Sequence, residues 1–348
     1  MTRVDQYRTN PSKAVSNFKG RWDSVFAWPS TAISTWLNGG LFGGGVWTET
    51  GGSYNAKTTV GDRTSYVWTA DGTIENTAGY VDIIMVGGGG AGSAGGTGQL
   101  GGGGGAGGFL FIEDVFMPAG AWTIDVGGSH SETFIYSTAG GITDPLEDAR
   151  MGSNADAKAN FAVSASKGGN GGGDDGGDPS GDHALNDEQK GSGGGAGHGG
   201  VIGGGGSHGT GGTSGDIGNN GANGLHAYGY WGAGGGGGAG SIPDANPSYG
   251  GAITDGGDGV GNSFIDLSTT TYFAVGGSAD LWTPIWVATG NKNDLAVYED
   301  LGGKSMYQSS VAAGNGAANT GSGGGGGYTV SGSGGSGIVG IITRAEDA

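Results

Sequence analysis

The chain has 348 residues, 90 of them Gly and 8 Pro, with no Cys and a formal net charge of −18. The lack of Cys excludes a disulfide framework, thiolate metal sites and a thiol nucleophile. So acidic a chain repels phosphate backbones and anionic lipid, and no stretch nears the ~18 continuous apolar residues of a membrane span, so neither nucleic-acid binding nor membrane insertion is expected.

A glycine content this high belongs to low-complexity chains, which usually lack a packed core. The 31 aromatic residues argue for a folded body instead. Residues 1–60 form the first unit, an N-terminal attachment segment. It is basic where the rest is acidic, and four Trp lie in it: Trp22, Trp28, Trp36 and Trp47. Pro29-Ser30-Thr31 opens a helix-compatible run that Asn38-Gly39-Gly40 would end, and residues 17–25 suit another short helix. The segment is too short for a substantial core of its own, so its aromatic residues should bury against a partner. Trp22, Phe26, Trp28, Trp36 and Leu37 are the candidate attachment residues. The opening sequence lacks the apolar run of a secretory signal, which suits a protein released by lysis.

Residues 61–348 form the second unit. TSYVWTA, YVDIIMV, GFLFIEDV and AWTIDVG, between residues 64 and 127, are strand-like runs of β-branched and aromatic residues. IVGIIT at 338–343 is a last strand, expected to return to the sheet of the early ones. Between them lie glycine blocks near 87–108, 168–177, 191–212, 232–240, 250–261 and 321–337, with non-glycine insertions at 128–167 and 262–311. Only glycine lets backbones approach closely enough to bond side by side, because a Cβ would hold them apart. The expected fold is therefore mainly β: a small antiparallel, sandwich-like core carrying a bundle of polyglycine II helices, preceded by the partly helical N-terminal segment. Ordering glycine costs more than each net hydrogen bond returns, so the β core must staple the bundle.

Chemical motifs are few. Gly87, Gly89 and Gly92 follow a strand with the dinucleotide-binding spacing, but the glycine run after them cannot supply the required helix. Gly205-Gly206-Ser207-His208-Gly209 has the spacing of a nucleophile elbow without its strand and helix. Gly303-Lys304-Ser305 ends like a P-loop, but Tyr298 stands where the first glycine belongs. The five His show no metal-ligand spacing. Asp174, Asp175, Asp178 and Asp182 are hard oxygen ligands on a flexible stretch and are the candidate Ca²⁺ ligands; a solvated acidic loop is the simpler reading. No catalytic constellation emerges and no other cofactor is expected, so the chain reads as a non-enzyme.

YVDIIMVGGGGAGSAGG, GGGGGAGGFLF, PAGAWTIDVGG, GAGGGGGAG, NTGSGGGGGY and GGSGIVGIITR occur in that order over residues 66–344. In this order they resemble the glycine-rich domain of bacteriophage tail-fibre and receptor-binding (adhesin) proteins. The resemblance implies a β core carrying a polyglycine II bundle, with loops at the end of the bundle that contact a host surface glycan or outer-membrane protein. It further implies an external, extracellular place on the virion. The basic, Trp-rich composition of the N-terminal segment points to attachment to other tail or fibre proteins, and a homotrimer is the expected assembly. Tyr228, Tyr230, Trp231, Trp282, Trp286 and Tyr298 combine stiff aromatic area with polar groups and are the candidate receptor contacts. Trp282 and Trp286 fit a half-buried strand equally well. A structural virion protein, with an assembly role and no receptor contact, is the alternative function.

Overall fold

The computed structural model describes residues 47–96, 100–137, 161–172, 191–199, 207–208, 218–227, 230–243, 255–279, 281–282, 301–305 and 312–344. Among these residues there is no helix, and every strand pairing is antiparallel apart from one isolated bridge between Ala94 and Gly327. The attachment candidates Trp22, Phe26, Trp28, Trp36 and Leu37, and the helices expected near them, lie outside the described residues.

Two five-stranded sheets form the β core. The first contains β1 (Glu49–Ser53), β4 (Gly72–Asn76), β7 (Gly120–Asp125), β8 (Thr133–Ser137) and β9 (Phe161–Ala165), in the order β1-β4-β7-β8-β9. The second contains β2 (Ala56–Val60), β3 (Arg63–Trp68), β5 (Gly79–Val86), β6 (Phe109–Met117) and β17 (Ile338–Arg344), in the order β2-β3-β17-β5-β6. The C-terminal strand β17 thus fills the centre of the second sheet, between strands more than 250 residues earlier in the chain. Residues 47–60, grouped by composition with the N-terminal segment, are part of this body: β1 and β2 join one sheet each. The 128–167 insertion likewise contributes β8 and β9 to the first sheet, while 138–160 lie outside the described residues.

Alternation along the strands sends one face of each sheet inward. Tyr66 and Trp68 of β3, Ile83 and Met85 of β5, and Ile341 of β17 meet Ile74 of β4, Trp122 and Ile124 of β7 and Ile135 of β8 in one apolar cluster. Trp68 and Trp122 are fully buried there and keep their indole N–H groups satisfied by donating to the carbonyls of Ser53 and Pro118. Trp47 closes the cluster beside Tyr66, with ring centroids 5.4 Å apart. Asp82, only 2% exposed, projects from the opposite face of β5. It accepts a hydrogen bond from the Asp114 amide and pairs with Arg344 at 2.6 Å and Arg63 at 3.9 Å, tying β17 and β3 to β5 by charge as well as backbone.

The outer face of the second sheet is partly covered by a hairpin, β14 (Val260–Asn262) with β15 (Thr271–Phe273). Phe264 and Phe273 from this region pack on Val67, Ile84, Val86, Ile338 and Ile342, joined by Ala106 and Ala274 from the glycine body. These two Ala side chains face apolar groups, and so a Cβ is admitted where most neighbouring positions are glycine.

The glycine body extends from the end of the sandwich where β5 stops, β6 begins and β17 begins. Residues 101–108 run through its middle, and all eight are buried. Their amides donate outward with a three-residue repeat. Gly102, Gly105 and Gly108 donate to Gly172, Gly169 and Ser166; Gly103 and Ala106 donate to Gly234 and Gly237; Gly104 and Gly107 donate to Gly324 and Gly321, all at 2.8–3.3 Å. The carbonyls repeat in the same way: Gly102, Gly105 and Gly108 accept from Ser93, Gly90 and Gly87, Gly103 and Ala106 from Gly195 and Ser192, and Gly104 from Gly277, at 2.8–3.0 Å. Six separate segments therefore surround one. Side chains substitute for backbone where glycine is interrupted: Asn170 Oδ1 accepts from the Ala91 amide, and Asn219 Nδ2 donates to the Gly238 carbonyl. The buried amides of residues 102–108 thus find partners on neighbouring segments in place of water.

Candidate functional site

The hydrogen-bond ladder orders positions along the body. Residue 108 pairs with 87 and 166 beside the sandwich, and 102 pairs with 93 and 172 away from it. The end at residues 93–102 is therefore distal. Following the same ladder, the segments ending at Gly197, Gly224, Ala279 and Gly327 all run toward that end: Gly195 bonds to Gly103, Ala196 to Ala222, Ser278 to Gly326, and Gly327 to Ser93.

At the distal end the chain makes short antiparallel pairs. β10 (His198–Gly199) pairs with β11 (Ser207–His208). β12 (Leu225–Ala227) pairs with β13 (Tyr230–Gly232), which pairs in turn with β16 (Leu281–Trp282). The register places Trp231 of β13 opposite Trp282 of β16, and Tyr230 opposite Ala227 across the hairpin. Three of the six aromatic positions expected from sequence are thus brought into one small sheet, although about fifty residues separate Trp231 from Trp282. Leu100, Ala233 and Ala279, from three segments that reach this end, form a small buried apolar cluster. Tyr228, Trp286 and Tyr298 lie outside the described residues.

A further turn reaches the same end. Residues 321–327 and 331–337 are antiparallel neighbours, with the Gly332 amide donating to Gly325 and the Gly335 amide to Ser322, and residues 328–330 link them. Thr329 is exposed, Val330 is 51% exposed and Tyr328 is half-buried, its carbonyl accepting from the Gly96 amide. Sequence reasoning passed over this turn, because Tyr328-Thr329-Val330 sits between two long glycine runs. The signal that could have found it is the interruption itself: three β-favouring residues between two glycine segments of similar length mark a reversal.

The candidate Ca²⁺ ligands Asp174, Asp175, Asp178 and Asp182 lie outside the described residues. Among the described residues no group of three or more His, Asp or Glu is placed to hold a metal ion. The Gly87-Gly89-Gly92 spacing belongs to a segment whose amides are already engaged by Gly108, Gly335 and Gly332, so they are not free to cradle a phosphate. Comparison with protein-family models and with curated proteins finds no match for this chain.

Proposed function

We propose that the chain is a bacteriophage tail-fibre adhesin whose glycine segments are polyglycine II helices and whose distal end recognises a host surface receptor. The observation that carries the scaffold reading is the three-residue repeat of bonding around residues 101–108. An α-helix bonds within itself and a β-strand alternates between two sides; a helix with three residues per turn offers its amides in three directions. At ~3.1 Å per residue, an eight-residue segment of this kind makes a rod of roughly 25 Å.

The recognition reading rests on where the aromatic residues lie. Trp231 and Trp282 are register partners at the distal end, which the 328–330 turn, with Thr329 and Val330 exposed, also reaches. A rod whose backbone bonds are internally satisfied holds such loops in place at little further entropic cost on binding. The ligand class this suits is a glycan or an outer-membrane protein loop, since aromatic rings stack on sugar faces and provide stiff contact area. The sandwich end, where the chain enters at Trp47, faces the remainder of the fibre, with residues 1–46 as its attachment to other virion proteins. Chemistry on the ligand is not part of this function.

The test is adsorption blocking. Antibody fragments against the 225–232 hairpin and the 328–330 turn should stop particles adsorbing to host cells, while one against the β2–β3 turn at residues 60–63 should not. Unimpaired adsorption with both distal sites covered would favour the structural, non-receptor role.

A further inference from the structure

An Asn followed by Gly is chemically labile. The Gly amide nitrogen attacks the Asn side-chain carbonyl carbon and expels ammonia, and water then opens the succinimide to Asp or isoaspartate. Glycine favours the ring closure because no Cβ obstructs it and its backbone turns readily. The attacking nitrogen must swing toward the Asn side chain, so a peptide that is bonded and closely packed is protected.

Four such pairs lie among the described residues: Asn170-Gly171, Asn220-Gly221, Asn223-Gly224 and Asn315-Gly316. The scaffold holds three of them. The Gly171 amide donates to the Ala91 carbonyl at 2.8 Å, and Asn170 Oδ1 accepts from the Ala91 amide at 2.9 Å. The Gly316 amide donates to the Ser333 carbonyl and Asn315 Oδ1 accepts from the Ser333 amide, both at 2.9 Å. Asn220-Gly221 is fixed from both sides: the Asn219 carbonyl accepts from the Gly193 amide and the Ala222 amide donates to the Gly235 carbonyl, both at 2.9 Å. A Cβ at Gly171, Gly221 or Gly316 would overlap the carbonyl of Gly102, Gly194 or Ser322.

Gly224 alone of the four combines an unengaged amide with open packing. Among the described residues its amide donates no hydrogen bond. The atom nearest its Cβ position, the Gly197 carbonyl oxygen, is 3.0 Å away. Asn223 is exposed, and the pair lies where the 218–224 segment leaves the glycine body and β12 begins at Leu225.

We propose that Asn223-Gly224 is a site of covalent self-modification: Asn223 deamidates through a succinimide in the folded protein, while Asn170, Asn220 and Asn315 are protected. Each event takes one water from solvent and releases one ammonia to it, so no cofactor or enzyme is required. The product carries a new carboxylate at position 223. Its isoaspartyl form also adds one backbone carbon between Ala222, which is bonded to Gly235 and Ala196, and β12. The modification therefore alters the tether of the hairpin that contains Trp231. It does not depend on the adhesin reading.

The test is deamidation kinetics in the full chain. The protein is held at mildly alkaline pH, folded in one sample and in denaturant in another. Each Asn is followed by peptide mass spectrometry with fragmentation that separates Asp from isoaspartate. In denaturant the four Asn should convert at comparable rates, since Gly follows each. In the folded protein Asn223 should convert at least about tenfold faster than each of the other three, which reflects barriers raised by the scaffold at those sites. A smaller difference between Asn223 and any of the three, or no conversion at Asn223, would overturn the proposal.

Discussion

The ring of Phe264 occupies the space that a Cβ on Gly340 would need. Gly340 is central in β17, and its missing side chain makes the notch through which the covering segment reaches the second sheet. Ser65 Oγ on neighbouring β3 donates to the Phe264 carbonyl and fixes the segment at the same point. Phe264→Ala should cost ~3–5 kcal/mol of stability, as buried aromatic truncations do. Gly340→Ala should cost ~1–3 kcal/mol by overpacking. In the double variant the two losses should fall short of additive by at least about 0.5 kcal/mol, because the new methyl enters the space the ring vacated. Denaturant melts of the four proteins check this.

The notch was not legible in the sequence, where Gly340 reads as a weak point in a strand. The strands themselves were more legible. β3, β5, β6, β7 and β17 are dense in Val, Ile and aromatic residues because both of their faces, or a whole inner face, are buried. β1 and β2, ETGGS and AKTTV, lie on sheet edges and are mostly exposed, so no apolar alternation marks them. Four segments of the glycine body were also hidden. Residues 218–224, 274–279, 301–305 and 312–317 carry Asn, Ser, Ala or Lys among few glycines, yet Gly277 bonds directly to Gly104 at the centre. With three residues per repeat, only the positions facing a neighbour closely require glycine. The Trp231–Trp282 register was illegible for a different reason: it depends on which rods are neighbours, and composition does not encode that.

Glycine substitutions separate a packed body from a loose one. A Cβ on Gly103 would overlap the Gly277 carbonyl, and one on Gly236 the Gly104 carbonyl, each closer than 3.0 Å. Gly103→Val and Gly236→Val should each be severely destabilising, beyond the ~1 kcal/mol typical of point substitutions. Gly128 is exposed with nothing within 4 Å of its Cβ position, so Gly128→Ala should stay within about 0.5 kcal/mol of the parent. Thermal melts provide the comparison, and parent-like melting of both valine variants would contradict the packing.

Arg344 makes the shorter of the two ion pairs to buried Asp82. Arg344→Met should cost about 1–3 kcal/mol, the range for hydrogen bonds to charged groups. Asp82→Asn should be the more damaging, since the buried carboxylate is the shared partner of both Arg side chains and of the Asp114 amide. The effect of added salt on the parent should be small, because the acid is removed from solvent.

Asp266 follows Phe264 and caps a turn by accepting from the Ser268 and Thr269 amides at 2.9 and 2.7 Å. The hydrogen bond from the Thr269 backbone, followed by that from Ser268, lowers its pKa from 3.8 to about 2. A depressed carboxylate stabilises the fold fully above its ordinary pKa and loses that contribution as pH falls through about 2. NMR titration of the Asp266 carboxyl should therefore show a midpoint near 2, and Asp266→Ala should abolish this part of the acid sensitivity. A midpoint near the ordinary carboxylate value would show that the turn bonds do not persist in solution.

Alanine at Trp231, Trp282 and Tyr328 tests the distal recognition surface. Under the adhesin reading, each variant should reduce adsorption to host cells at least tenfold. Tyr328→Ala should lower the melting temperature less than truncation of a fully buried aromatic would, since the residue is half-buried. Normal adsorption by all three would move the recognition surface elsewhere.

Amide hydrogen exchange over residues 101–108 tests the central claim, that the glycine segments form one bonded scaffold. Seven of these amides, Gly102 to Gly108, donate to neighbouring segments inside a ring of six. The account predicts that a peptide spanning 101–108 exchanges as slowly as one spanning β17, by a factor of 10³ or more against an unstructured chain of the same sequence. Exchange at the unstructured rate, with β17 still protected, would contradict it.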